Sequence, residues 1–588
     1  VLFITLGWRS ALVVAVSLPL TVLFTLSCMK YYGLPIHQMS VTGLVVALGI
    51  MVDNAIVMAD SIQQRRQQGE SALDAVMNSL HHLWLPLLGS TLTTILAFMP
   101  IVLMPGPAGE FVGGIALSVI FSLIGSYIIS HTLVAAISGR FLRNASGKGH
   151  WYQQGVQLNW LSRLFKGSLR LTLNYPKITV LIVFLLPLSG FMAAKQLTEQ
   201  FFPPSDRDMF QIELYMPAQT SINQTYRMTQ RLDQVLAEEK SIEKVRWFVG
   251  SNAPSFYYNL VPNQRGAQNY AQAMVTAEDF QAANRMIPEL QQQLDDAFPA
   301  AQILVRKLEQ GPPFNAPIEL RLYGPNLDTL KTLGDQARQI LSGTPEVIHT
   351  RATLQPGTPK VWLDINEDMG RISGLSLTEI ATQLQHSLQG ITQGSILQTT
   401  ESIPVRVRVG NEQRQDLTDL TNLSLTVPGV EDNIPLSALA KAELKPSRGA
   451  IPRRNGERVN VIEGYLRSGV LPAAALAQYQ QRLEQAGFAM PAGYRMEIGG
   501  ESAKRNDAVG NLLASIGVIA TLLVTVVVLS FNSFRMSILI FLAAFQSVGL
   551  GLLSVYAFSY PFGFTVIIGL LGLMGLAINA AIVILAEL

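Results

Sequence analysis

Polar and apolar positions divide the chain into three stretches. At both ends, apolar runs of about 20 residues, the length a helix needs to cross a bilayer core, follow one another with short polar breaks. They predict spans near 11–29, 41–61, 84–104, 112–136, 177–196, 508–530, 536–557 and 563–588, with residues 1–6 as the tail of another. The run 84–104 is the least clean, since it holds Pro86 and several Ser and Thr residues. Both chain ends fall inside apolar runs and read as truncations. From 197 to 505 the pattern shortens. MFQIELYM (209–216) alternates like a strand, 221–239 has helical spacing, 244–250 and 269–276 read as strands, 282–298 as a helix and 302–308 as a strand. That order is β-α-β-β-α-β, the ferredoxin-like split βαβ arrangement. A second set starts with strand 317–323, helix 326–341 and strand 346–354. It is completed after a break by strand 457–465, helix 471–486 and strand 493–499. The break, about 369–447, reads as an inserted subdomain with its own helix at 377–389.

The two membrane blocks repeat. Shifted by 526 residues, Arg9 meets Arg535, Pro35 meets Pro561, Gly43-Leu44 meets Gly569-Leu570, Gly49 meets Gly575 and Ala55-Ile56-Val57 meets Ala581-Ile582-Val583. Apolar segments match by chance. A coincident Arg, Pro and Gly set at one offset is harder to obtain from composition. The copies share orientation, which implies a pseudo-two-fold axis along the membrane normal.

Charge fixes the sidedness. Of the 588 residues 14% are charged, against about 25% in an average soluble domain. Arg9, Arg65, Arg66, Arg535 and the basic, acid-free stretch 138–177 lie at one set of helix ends, and the opposite short loops hold only Lys30. The basic side is therefore expected to be cytoplasmic, which puts 197–505 outside the cytoplasm. Within the basic stretch, 155–172 mixes Trp160, Leu161, Leu164, Phe165 and Leu169 with Lys and Arg, as in a helix lying in the interface; a plain polar linker is the alternative. A net charge of +2 gives no case for nucleic acid, and the single Cys28 excludes a disulfide framework or a thiolate cluster.

Few residues can carry chemistry. In VTGLVVALGIMVDNAIVMADS (41–61), Asp53 lies roughly 18 Å into the span, near mid-membrane. Charge at that depth costs roughly 2.5–3.5 kcal/mol on insertion scales. A carboxyl that can be charged or neutral at such modest cost suits a proton carrier. Asn54 adjoins it, Asp60 returns to the same helix face near the expected cytoplasmic boundary, and Asn579 occupies the repeat-related position. The structural alternatives are a protonated, hydrogen-bonded Asp53 and a solvated helix-end Asp60. No phosphate-cradling loop is present, because Gly147-Lys148 is followed by Gly149 and the upstream glycine is Leu142. His81 and His82 are adjacent and point to different faces, so no metal well forms there. No catalytic constellation is recognisable, no cofactor is implied, and an ion gradient is the simplest energy source. In SNAPSFYYNL (251–260), Phe256, Tyr257 and Tyr258 can form an apolar pocket or pack in the α/β core.

These residues resemble a known family. GLVVALGIMVDNAIVMAD resembles the fourth-span signature of resistance-nodulation-division (RND) efflux transporters of the hydrophobe and amphiphile type, and GLLGLMGLAINAAIVILAE resembles their tenth span. FFPPSDRDMFQIELYMPAQTS resembles the entry to their second periplasmic loop, and SGLSLTEIATQLQHSLQG the start of their docking subdomain. The resemblance covers essentially the whole chain, from the end of a second span to the middle of a tenth. It implies an α-helical transmembrane bundle with extracytoplasmic α+β porter subdomains and an inserted docking subdomain. On that pattern 1–137 holds the first-half spans, 138–176 a cytoplasmic linker and 177–196 the seventh span. Residues 197–312 form one porter subdomain, 313–368 with 448–506 a second, 369–447 the docking insertion and 507–588 the eighth to tenth spans. It also implies a homotrimer in the inner membrane of Gram-negative bacteria, exchanging protons for drugs, detergents or dyes. A periplasmic adaptor protein and an outer-membrane channel are the implied partners. Residues 251–260, and Met274 with them, fall where the family lines its substrate pocket.

The relay departs from the family pattern. Such pumps carry two adjacent Asp in the fourth span and a Lys in the tenth; here the second Asp is Asn54 and the Lys is Asn579. A carboxylate and its ammonium partner are lost together, which avoids leaving one buried charge unpaired. Three consequences stay open: Asp53 carries the proton alone, Asp53 shares it with Asp60, or proton coupling is altered or lost. Metal-ion export on the same fold and a non-transporting sensor remain competing readings.

Overall fold

The computed structural model describes residues 3, 7–142, 159–255, 260–355, 357, 359–410, 416–429, 431–447 and 449–587. Residues 1–6 other than Phe3, and the part of the basic stretch from 143 to 158, lie outside the described residues, as do Phe256, Tyr257 and Tyr258.

Among the described residues, eight helices are long and apolar enough to cross a membrane. Four belong to the first block: α1 (Trp8–Tyr32), α2 (Gln38–Gln67), α3 (Ala72–Val102) and α4 (Pro107–Phe141). The turn between α1 and α2 follows from its residues. Gly33 takes the left-handed conformation that ends α1, and the His37 ring accepts the first amide hydrogens of α2, from Met39 at 3.1 Å and Ser40 at 3.4 Å. Helix α3 begins twelve residues before the expected span, capped by Ser71, and runs through Pro86 without ending. The basic stretch ends in an amphipathic helix, α5 (Asn159–Asn174), whose Trp160, Leu164 and Phe165 are exposed, and α6 (Pro176–Ala194) follows.

The α/β region contains two sheets of the same plan. In the first, β1 (Met209–Tyr215), α7 (Ile222–Glu238), β2 (Ile242–Val249), β3 (Tyr270–Ala277), α8 (Phe280–Ala297) and β4 (Gln302–Lys307) give the antiparallel order β2-β3-β1-β4. The second is made of β5 (Ile318–Tyr323), α9 (Leu327–Ser342) and β6 (Val347–Ala352), then, past an insertion, β11 (Glu457–Leu466), α11 (Pro472–Gln485) and β12 (Arg495–Gly499). Its order is β6-β11-β5-β12. The insertion is closed at its base by β7 (Pro359–Ile365) pairing with β10 (Ala440–Pro446), and carries α10 (Leu377–Leu388) and an exposed hairpin of β8 (Ile391–Leu397) and β9 (Ser402–Val407). The last helices are α12 (Gly500–Phe531), α13 (Phe534–Ala557) and α14 (Phe564–Glu587).

The two α/β units lock together through paired charges that would be costly to bury singly. Arg351 of β6 pairs with Glu463 of β11 at 3.0 Å and stacks over Tyr215 of β1 with its Cζ 4.2 Å from the ring centre. In the opposite sense, Arg306 of β4 approaches Glu213 of β1 at 3.6 Å and lies over Tyr465 of β11 at 5.6 Å. Each unit thus lends an arginine to a tyrosine of the other. Burial pushes the Tyr270 phenol well above its ordinary range, so it stays a neutral donor to Glu213 Oε1 at 3.3 Å.

The α/β region meets the membrane helices at an aromatic joint. Phe201 packs edge-on against Phe202 and against Phe564 of α14, Phe202 lies tilted on Phe564, and Phe202 also meets Phe111 of α4 edge-on. The Phe201 amide donates to Glu501 of α12 at 2.7 Å, and the Phe564 amide to the Phe201 carbonyl at 2.9 Å.

In the bundle, α3 packs against both α12 and α14 of the second block and so joins the two repeats. Helices α6 and α13 cross at paired glycines. A Cβ on Gly190 would lie 1.9 Å from the Gly549 carbonyl oxygen, and one on Gly549 would lie 2.5 Å from that of Pro187. Both obstacles are backbone, so neither can give way, and the crossing depends on small residues as membrane helix pairs often do. Gly549→Val is accordingly expected to push α6 away and cost about 1–3 kcal/mol, the usual penalty of overpacking. A lowered thermal midpoint of the detergent-solubilised complete protein would show it; an unchanged midpoint would contradict the packing.

Candidate functional site

The site lies where the repeats meet. Asp53 is close to the middle of the 30-residue α2, roughly 22 Å from its first residue. Asn579 of α14 donates from Nδ2 to Asp53 Oδ2 at 3.4 Å. The two positions are separated by 526 residues, the offset of the internal repeat. Equivalent residues of two copies can touch only near the axis that relates them. Asp53 and Asn579 therefore mark the pseudo-two-fold axis of the bundle.

Around this pair the helices contribute hydroxyl and amide groups. Ser90 of α3 donates to Asn579 Oδ1. Asn54 is buried and reaches Thr91 of α3 at 3.5 Å and Ser126 of α4 at 3.4 Å, while the Ser126 hydroxyl donates to the Met51 carbonyl of α2 at 2.5 Å. Thr94 donates to the Ser90 carbonyl at 3.0 Å, one turn along α3. The Ser and Thr content that made 84–104 an untidy apolar run is thus the wall of the site. Polar groups inside an apolar bundle are retained where they hydrogen-bond or serve function. Asp53 is half-buried, and among the described residues no cation forms an ion pair with it. The arrangement can accept and release a proton at one carboxyl without separating a salt bridge.

The other expected residues lie elsewhere. Asp60 is two turns further along α2, roughly 10 Å from Asp53, and exposed. Seven residues bring it back to nearly the same face, but at that level α2 has run past the polar wall. Met274, on β3, is buried with Ala253, Leu260 and Leu308, beside Met209 and Phe248. Ala253 and Leu260 flank positions 256–258 in the sequence, so Met274 packs against the described residues on either side of them. The loop base is held by Asn252, which donates to the Tyr270 hydroxyl at 2.7 Å and accepts from the Gln264 amide at 2.6 Å. Sequence reasoning did not single out Ser90, Thr91 and Ser126. Their signal was present, as hydroxyls interrupting apolar runs, but their convergence on one point was not.

Comparison with known proteins places this geometry. A family model described as the AcrB/AcrD/AcrF family matches residues 1–587. The cobalt-zinc-cadmium resistance protein CzcA of Cupriavidus metallidurans is 23% identical over all of this chain and 56% of its own length. The multidrug resistance protein MdtC of Pectobacterium atrosepticum is 22% identical over 98% of this chain and 55% of its own length. The swarming motility protein SwrC of Bacillus subtilis is 21% identical over 98% and 54% respectively. The chain thus spans about 56% of the length of the curated relatives it matches. Among solved structures, a heavy metal efflux pump superposes with a TM-score of 0.81 at 19% identity, covering all of this chain and 58% of that one. That likeness gives the fold: an RND permease with apolar helices and mixed sheets. With the family model matching nearly every residue, the chain belongs to the AcrB/AcrD/AcrF family of RND transporters.

Proposed function

We propose that the complete protein is a proton-driven exporter of amphiphilic compounds, with Asp53 as its proton carrier. The observation that carries this is the contact of Asp53 with Asn579 at 3.4 Å on the axis between the repeats. Proton uptake there changes the charge at a point where equivalent residues of the two halves are in contact. The two halves then hold different positions in the protonated and unprotonated states. The aromatic joint at Phe201, Phe202 and Phe564 links that movement to the α/β region, because it ties α12 and α14 to the strand entering β1. One elementary charge moved across 100 mV supplies about 2.3 kcal/mol, enough to bias such a two-state element roughly fiftyfold. On this reading the protein sits in the inner membrane as a homotrimer, with its α/β region periplasmic. Phe256, Tyr257, Tyr258 and Met274 contact the cargo, and an adaptor protein and outer-membrane channel complete the path.

A second reading is export of divalent metal ions, supported by the likeness to CzcA. Against it, among the described residues no three or more His, Cys, Asp or Glu side chains converge as a metal would require. Vesicles holding the complete protein under an imposed pH gradient separate the readings. Amphiphilic dyes are expected to dissipate the gradient as they are carried. Gradient loss with Zn²⁺ or Co²⁺ and not with dyes would move the proposal to metal export. No coupled flux with either cargo would leave a sensor on this fold.

A further inference from the structure

Helix α4 changes its winding four residues beyond Ser126, which stands level with Asn54. It is α-helical from Pro107 to Ile129, a π-helix from Ser130 to Val134, and α-helical again to Phe141. Such π segments are rare and recur at functional sites. This one holds His131. The ring nitrogen Nδ1 lies 2.9 Å from the Tyr127 carbonyl and 3.2 Å from the Ser130 hydroxyl. A carbonyl only accepts, so Nδ1 carries the hydrogen and Nε2 presents a lone pair. That Nε2 atom is buried and has no hydrogen-bond partner. The ring is held in place by Tyr127, whose ring centre is 4.2 Å away.

A buried acceptor left unsatisfied costs about 1–3 kcal/mol, so its retention calls for an explanation. Its position supplies one. Ser126, on the same helix, contacts Asn54 and Met51 and so stands level with the Asp53 site. His131 follows at roughly 7–8 Å along the axis, toward the basic helix ends. The π segment packs against α2 in a cluster containing Ala55, Ala59, Ile129 and Val134, the stretch of α2 directly beyond Asp53. Further along α4, the buried Ser138 hydroxyl is also without a partner. Among the described residues only three buried side-chain atoms are in this condition, and two of them lie on this short stretch of one helix.

We propose that His131 is a second proton-binding group in the path served by Asp53, accepting at Nε2 on the side of Asp53 that faces the basic helix ends. The inference rests on the reading of Asp53 as proton carrier. In the step, the Asp53 O–H bond breaks and leaves a carboxylate, and an N–H bond forms at Nε2. The proton crosses the gap through water. The imidazolium keeps Nδ1–H on the Tyr127 carbonyl and later loses the Nε2 proton to water at the basic end. From Asp53 toward the basic ends, the charged and titratable groups on the helices packed around this segment are Arg9 of α1 and Asp53, Asp60, Arg65 and Arg66 of α2, with Tyr127 and Arg140 on α4 itself.

The test uses the complete transporter in vesicles. His131→Asn keeps a donor near the Tyr127 carbonyl and removes the titrating nitrogen; His131→Gln is the alternate should the first not accumulate. Export driven by a pH gradient is expected to fall at least tenfold and to lose the part of its pH dependence that falls in the general histidine range, about pH 5–8. Cargo counterflow, which needs no net proton turnover, is expected to stay within twofold of wild type. Unchanged export with an unchanged pH profile would overturn the role of His131 while leaving that of Asp53 intact. Loss of export and counterflow together would reduce His131 to a structural residue and overturn it as well. If neither variant accumulates, nitrogen NMR of wild-type protein with the His131 signal assigned decides. Protonation of Nε2 as the pH falls through the general histidine range, from about 8 to about 5, supports the proposal, and an Nε2 that never titrates in that range overturns it.

Discussion

With Asp53→Asn in the complete transporter, export driven by a pH gradient is expected to fall to background while abundance and the helix bundle persist. The replacement has nearly the same shape. Its amide oxygen still accepts from Asn579, so the contact between the repeats survives and only the ability to bind a proton is removed. Loss of a positioned proton-transferring group usually costs roughly 100-fold or more in rate. The family pattern offers a second Asp beside the first and a Lys opposite. Here those positions are Asn54 and Asn579, so neither neighbour can take over the proton. Counterflow of cargo down its own gradient should continue, which separates lost coupling from lost folding. Wild-type export rates from the Asp53→Asn protein, or export that continues after the pH gradient and the voltage are both collapsed, would remove Asp53 from the mechanism.

The largest stability effect is expected outside the bundle. Arg351→Ala leaves the Glu463 carboxylate, 3% exposed, without its cation and strips the guanidinium from the Tyr215 ring. Breaking a buried pair on one side costs about 3–5 kcal/mol, because the remaining charge is neither solvated nor compensated. The urea midpoint of the purified complete protein should fall accordingly. Replacing both partners together, Arg351→Met with Glu463→Leu, should recover much of the loss, since an apolar pair of similar volume removes the desolvation cost as well. A double variant no more stable than Arg351→Ala would show that the arginine acts mainly through its stacking on Tyr215. The comparison matters for function because this lattice holds the two α/β units to each other.

The element order, the strand and helix positions of both α/β sheets and all eight apolar helices were legible in the sequence. Each depends on local periodicity, and period two and period 3.6 leave different marks on neighbouring positions. Helix α3 shows where that reading stops. Its first three turns are amphipathic, so hydropathy placed the start at 84 although the Ser71 cap fixes it at Ala72. The carboxyl at 53 and its repeat mate at 579 were equally legible, since a charge in an apolar run and a fixed offset are properties of the chain alone. Tertiary structure decided that these two residues touch. It gathered Ser90, Thr91 and Ser126 about Asn54 and Asn579, set Asp60 apart, crossed arginines between the α/β units and turned His131 inward on a π segment. Contacts of this kind join residues tens to hundreds of positions apart. Their energies come from burial and from hydrogen-bond geometry, and neither leaves a periodic trace in the sequence.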